Sequence, residues 1–176
     1  GVGKTVREME EALRAEILLF NVESEQELLA LDRVAGLGGM KAPVALRINP
    51  DINPQTHPYI STGLKRNKFG IPFDRSVEVY RQAKALEHID PIGVHCHIGS
   101  QILDVRPFVD TLGRIKKLVH MLREESIAIQ YVDLGGGLGI AYDDEDPPPP
   151  SDYVDALLQE LGDLECTLIF EPGRVL

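Results

Sequence analysis

The chain is short of positive charge, has few cysteines and lacks any long apolar run. Its 18 Lys and Arg are outnumbered by 28 Asp and Glu, giving a formal net charge of −10. Nucleic-acid binding rests on Lys and Arg meeting phosphates, so this balance argues against nucleic acid as a partner. No uninterrupted apolar stretch approaches the roughly 20 residues of a membrane helix, which argues against a membrane-spanning role. Two cysteines, Cys96 and Cys166, lie far apart and make no metal-spacing pattern, so the expectation is a cytoplasmic protein with reduced thiols. No basic-then-apolar leader and no initiator methionine stand at the start, so the N-terminus reads as processed or as an excised edge. There is no internal repeat. What remains is ordinary globular composition, 43% hydrophobic and 26% charged over 176 residues, enough for one domain with a real core.

The first five residues, "GVGKT", match the end of a phosphate loop, G-x-x-x-x-G-K-[ST]. That reading needs a strand and a first glycine ahead of residue 1. The same stretch also leads into a helix, because Thr5-Val6-Arg7-Glu8 has capping-box spacing and predicts a helix to about Arg14. Short apolar runs then alternate with amphipathic segments. "ILLFNV" (17–22), "VALRI" (44–48), "IGVHCH" (92–97), "IQYVDL" (129–134) and "TLIF" (167–170) read as strands. Ser24-Glu25-Gln26-Glu27 is a second capping box, Asp74 is placed to cap a helix to Leu86, and Tyr153 to Leu161 is helical. A long polar connection runs from residue 49 to about Pro72, and "DDEDPPPP" (143–150) is a loop. Val109, Leu112, Ile115, Val119 and Leu122 fall on one helical face.

Strands alternating with helices indicate a parallel sheet, open or closed as a β/α barrel. Each of the five strands runs directly into a chemically unusual stretch: "NVES", "RINPD", "HIGSQ", "GGGLG" and "EPGR". Barrels build sites from the carboxyl ends of many strands, whereas open sheets concentrate theirs at a switch point. The fold expected is therefore α/β, a partial TIM-like β/α barrel with about five of eight strands.

Three stretches carry chemistry. Gly135, Gly136 and Gly137, with Leu138 and Gly139, follow a strand where backbone N–H groups can converge on an anion. They are not the dinucleotide fingerprint, because Ile140 and Tyr142 stand where its last glycine would fall; a plain tight turn is the competing reading. His95 and His97 share a strand face, which allows a metal, but the only later histidine, His120, lies mid-helix. A buried, hydrogen-bonded histidine is the simpler account of one of them. Glu171 and Arg174 of "EPGR" either pair as a structural salt bridge or offer a carboxylate and a guanidinium to a ligand. Together an aromatic ring donor, a glycine cradle, a carboxylate and an arginine suit a phosphorylated aromatic cofactor.

In these stretches the chain resembles the barrel domain of the diaminopimelate decarboxylase family, within the fold-type III pyridoxal-phosphate enzymes. "GVGKT", "FNVESEQEL", "RINPDINPQTHPYISTGLKRNKFGI", "HCHIGSQI", "DLGGGLGI" and "EPGR" carry the likeness in order and spacing across nearly the whole chain. The resemblance implies pyridoxal 5'-phosphate as cofactor, an amino-acid substrate, a homodimeric parent and decarboxylation of meso-2,6-diaminopimelate to L-lysine. It implies that His97 stacks on the cofactor ring and that Glu171 faces the pyridine nitrogen. Ser100, Gly135, Gly136, Gly137, Gly173 and Arg174 become phosphate contacts, with Arg174 also meeting a substrate carboxylate. No metal is implied. The family attaches its cofactor to a lysine ending an early strand. The seven lysines here, at 4, 41, 65, 68, 84, 116 and 117, end no buried strand. Residues 1–176 thus read as an internal part of the cofactor-binding barrel, without that lysine or a C-terminal β-domain. Alone they are expected to be inactive, and a non-catalytic holder of phosphate or cofactor is the alternative.

Overall fold

A computed structural model describes residues 1–52 and 69–176. Most of the polar connection after "RINP", including "THPYISTG" and Lys65 and Lys68, lies outside the described residues. Helix α1 (Val6–Arg14) starts where the sequence places it: Thr5 Oγ1 accepts from the Glu8 amide, and the Glu8 carboxylate accepts from the Thr5 amide. Strand β1 (Phe20–Val22) follows, then α2 (Glu25–Leu37), capped by Ser24. The reciprocal half of this second box is absent, because the Glu27 carboxylate turns to the Glu23 amide and to Lys4 instead.

Strand β2 (Ala42–Asn49) lies at the centre of a wide pairing, joined by the two-residue β3 (Ile71–Pro72) and by β4 (Ile89–His95). Between β3 and β4 a 3-10 turn (Phe73–Arg75) leads into α3 (Ser76–Ala85). The expected Asp74 cap is not made. Residue 74 lies inside that turn, and no side chain caps α3. Helix α4 (Arg106–Glu124) buries Leu112, Ile115, Val119 and Leu122 completely, with Val109 partly buried at the end of the same stripe. Strand β5 (Tyr131–Asp133), helix α5 (Pro150–Leu161) and strand β6 (Thr167–Ile169) complete the order. Helix α5 begins three residues earlier than the apolar pattern suggests, since proline is well suited to a first helical turn.

Every pairing is parallel, and the order is β1-β2-β4-β5-β6, with β3 beside β2. Apart from β3 the strands follow chain order without reversal. Right-handed crossovers in one direction place all helices on one face, which is barrel winding rather than double winding. Neighbouring helices pack accordingly, α1 on α2, α3 on α4 and α4 on α5. Val22, Leu46, Val94, Val132 and Leu168 lie level across the sheet. The first four are buried in the core that the helices cover. Alternation turns the next row, Arg47, His95, Asp133 and Ile169, to the opposite face. That face is the inside of the barrel wall, and the polar residues collect at its carboxyl end. β1 and β6 form the two edges among the described strands.

Candidate cofactor site

The glycine loop after β5 fits the loop after β4 so closely that side chains have no room. A Cβ on Gly135 would fall 2.7 Å from the Cys96 carbonyl oxygen, and one on Gly137 2.4 Å from that of Gly99. Gly135 and Gly137 also hold positive φ, 66° and 117°. At Gly136 a Cβ would stand 2.2 Å from the Glu171 carbonyl oxygen. The loops are stitched by backbone bonds: the Ile102 amide to Gly137 O (2.9 Å), the Gly139 amide to Ile102 O (2.9 Å) and the Glu171 amide to Gly135 O (2.8 Å). This holds "HIGSQ", "GGGLG" and "EPGR" together at one mouth, and β5 and β6 are neighbours as expected. A cavity of about 180 Å³ lies between the glycine loop, Tyr153, Phe170, Pro172 and Gly173.

Glu171 and Arg174 do not pair. Arg174 donates to the hydroxyls of Tyr142 (3.0 Å) and Ser100, and forms no salt bridge among the described residues. Its guanidinium is thus held by neutral groups and keeps its charge for an anion. Glu171 instead accepts from the Asn21 side-chain amide (3.2 Å), which also donates to Asp133 (2.8 Å). Burial, followed by the charge and hydrogen bonding of Asp133, raises the Glu171 pKa above the usual carboxylate range. Asp133 is buried, and its second oxygen accepts from the Gly135 amide (2.9 Å).

His97 lies beyond the end of β4, half-buried, with Nδ1 accepting from the Gly136 amide at 3.3 Å. Burial, then the Arg47 charge, lowers its pKa, so the ring is neutral and aromatic near pH 7. His95 is the more buried of the two, and neither of its nitrogens has a hydrogen-bond partner among the described residues, though Nε2 stands 4.0 Å from Glu171 Oε2. Burial first, then the Arg47 charge, pushes its pKa down to about 3. His95 and His97 do not converge as a pair of ligands. His95, Asp133 and Glu171 bring donor atoms within 4.8 Å of one another, while His97 is not part of the group. The Asn21 amide bridges the two carboxylates of that cluster. Behind it, Arg47 pairs with Glu23 at 2.6 Å and Lys4 with Glu27 at 2.6 Å, all four side chains mostly buried. Lys4 Nζ also donates to the Asn21 carbonyl, so "GVGKT" serves as an anchor and helix entry rather than a phosphate loop.

The sequence pattern brought out the glycine loop, His97, Glu171 and Arg174, and the family resemblance added Ser100; the structure joins His97 and Glu171 to the glycine loop and Ser100 to Arg174. Asn21 and Asp133 escaped it. Both sit inside short strand runs, and only their register, 112 residues apart, brings them together. The donor set fits a phosphorylated ring: a Cβ-free amide cradle, an arginine without an ion pair beside a serine, a carboxyl group of raised pKa and a neutral imidazole.

This arrangement defines a pyridoxal-binding half-barrel, and the family model "Pyridoxal-dependent decarboxylase, pyridoxal binding domain" matches residues 1–176; the chain belongs to that family. Diaminopimelate decarboxylases are among its relatives. That of Vibrio cholerae is 55% identical over 100% of this chain, and that of Pseudomonas aeruginosa 53% identical over 99%. The chain spans 42% of the length of each. The solved diaminopimelate decarboxylase from Helicobacter pylori, complexed with L-lysine, superposes with a TM-score of 0.89 at 42% identity, over 99% of this chain and 44% of that one.

Proposed function

We propose that the protein to which these residues belong is a pyridoxal-phosphate-dependent carboxy-lyase that converts meso-2,6-diaminopimelate to L-lysine. It works as a cytoplasmic homodimer in amino-acid biosynthesis. The observation that carries this reading is the separation of Glu171 from Arg174: an acid and a base three residues apart decline to pair, and each is held by other groups at one mouth. The substrate is supported by the relatives, which bear the name diaminopimelate decarboxylase at about half sequence identity.

When bound, pyridoxal phosphate supplies a ring that takes up the electron pair left as carbon dioxide departs. The Gly135, Gly136 and Gly137 backbone, with Gly173, Ser100 and Arg174, holds the phosphate. Arg174 also meets a substrate carboxylate. Glu171 would stand at the pyridine nitrogen, where its carboxylate charge would favour the protonated ring. His97, neutral and fixed by the Gly136 amide, offers its ring for stacking. The domain made of residues 1–176 contributes this binding machinery, and the lysine that carries the cofactor comes from outside it. Alone it is a cofactor-binding module without turnover.

Glu171→Ala in the full-length enzyme tests the assignment. Loss of a group that acts in the transition state lowers kcat more than it raises KM. A kcat equal to wild type removes Glu171 from the cofactor site.

A further inference from the structure

We propose that Asn21 and Asp133 are positioning residues for Glu171: the Asn21 amide clamps the two carboxylates side by side, so that Glu171 is held through Oε1 in one orientation at the strand ends. The role of Glu171 itself rests on the reading above, whereas the clamp is visible in the chain's own hydrogen bonds.

Each hydrogen of the Asn21 amide nitrogen has one carboxylate, Asp133 Oδ2 at 2.8 Å and Glu171 Oε1 at 3.2 Å. Reversing the amide would set its oxygen against two carboxylates, so its orientation is fixed by its partners. Asp133 is locked in turn by the Gly135 amide at 2.9 Å, tying the clamp to the glycine loop. Lys4 donates to the Asn21 backbone carbonyl at 2.5 Å, fixing β1 behind the clamp. Three strands, β1, β5 and β6, therefore converge on one carboxylate.

The clamp has two opposed electrostatic effects. A donated hydrogen bond favours the charged form of Glu171, whereas the nearby Asp133 charge favours the protonated form. The other charged or titratable groups facing Glu171 are His95 on β4, the Cys96 thiol that follows it and Arg47 on β2. His95 is neutral near pH 7, its pKa being about 3. Arg47 opposes Asp133 without cancelling it, since the Glu171 pKa remains raised.

Removing the two clamp residues must then move the Glu171 titration in opposite directions, which a purely structural role would not do. The experiment is a pH titration of the apo full-length enzyme labelled with [13Cδ]glutamate, the Glu171 signal being the one lost in Glu171→Gln. Asp133→Asn is expected to lower the Glu171 midpoint by about one pH unit, as befits one charge at this range in a partly solvated site. Asn21→Ala is expected to raise it, because the carboxylates then face each other unbridged. Midpoints that stay at the wild-type value, or that move in the same direction, overturn the proposal. If Asp133→Asn does not fold, Asn21→Ala decides alone: a rise supports the clamp, and a fall or no change overturns it. The cofactor reading is tested separately by titrating pyridoxal phosphate into Glu171→Gln. Unchanged affinity and absorbance there would break that reading while leaving the apo titration to judge the clamp.

Discussion

Gly136→Ala concentrates the packing argument into one methyl group. Its Cβ would lie 2.2 Å from the Glu171 carbonyl oxygen, a backbone atom that has no rotamer to escape by. Carbon and oxygen in contact rest at about 3.3–3.6 Å, so the two strand ends must part by about 1 Å. The bond that joins them, Glu171 amide to Gly135 O at 2.8 Å, does not survive that opening. Overpacking costs about 1–3 kcal/mol and an unmade backbone bond about 1–3 kcal/mol more, with partial relaxation leaving about 3 kcal/mol in total. Urea unfolding of the cofactor-free full-length enzyme measures it as a lower midpoint at unchanged slope. Pyridoxal-phosphate affinity, followed by fluorescence, should fall at least ~10-fold, or ~1.4 kcal/mol, because Glu171 and the amide cradle shift together. Gly173→Ala is the control for stability: nothing lies within 4 Å of its Cβ, so it should cost less than ~0.5 kcal/mol. A Gly136→Ala midpoint indistinguishable from that of Gly173→Ala would refute the reasoning.

Other expectations follow from the same geometry. Glu23→Gln leaves Arg47 mostly buried without its 2.6 Å partner and should destabilise by about 3 kcal/mol, whereas Glu23→Leu with Arg47→Met should cost less, both read by urea unfolding. His95 stays neutral in the native state down to pH about 3, while an unfolded histidine gains its proton near pH 6.5. The unfolded chain therefore holds the extra proton between those values, and stability falls as pH drops from about 6.5 towards 3. His95→Gln should flatten that slope in unfolding series at pH 7, 5 and 4, and an identical slope would contradict its burial as a neutral ring. Arg174→Lys keeps the charge but loses the planar fork, so cofactor affinity should drop while the unfolding midpoint stays near wild type. Residues 1–176 expressed alone should self-associate through the β1 and β6 edges, seen by light scattering, and release no carbon dioxide from diaminopimelate.

Why some of this was legible in the sequence and some was not has a physical basis. Local signals read well: the Thr5–Glu8 box is a reciprocal bond within four residues, and the α4 stripe is set by helical periodicity alone. The barrel preference also held, because chemistry at every strand end is a property of the winding rather than of any one strand. Asp74 misled because a helix cap depends on where the first turn begins, and a 3-10 turn took that place. Strand ends were misjudged for a related reason: His97 continues the apolar run of β4, yet the chain leaves the ladder after His95 to meet the glycine loop. Asn21 carries no local mark at all. Its function as a bridge exists only through parallel register across three strands, which composition and periodicity do not encode.

The central claim is tested most directly by purifying the full-length enzyme, reconstituting it with pyridoxal phosphate, and measuring carbon dioxide released from meso-2,6-diaminopimelate, L-lysine and L-ornithine in parallel. The account predicts carbon dioxide and L-lysine from diaminopimelate, and none above the free-cofactor background from the other two. Turnover of L-lysine or L-ornithine with none of diaminopimelate would contradict it.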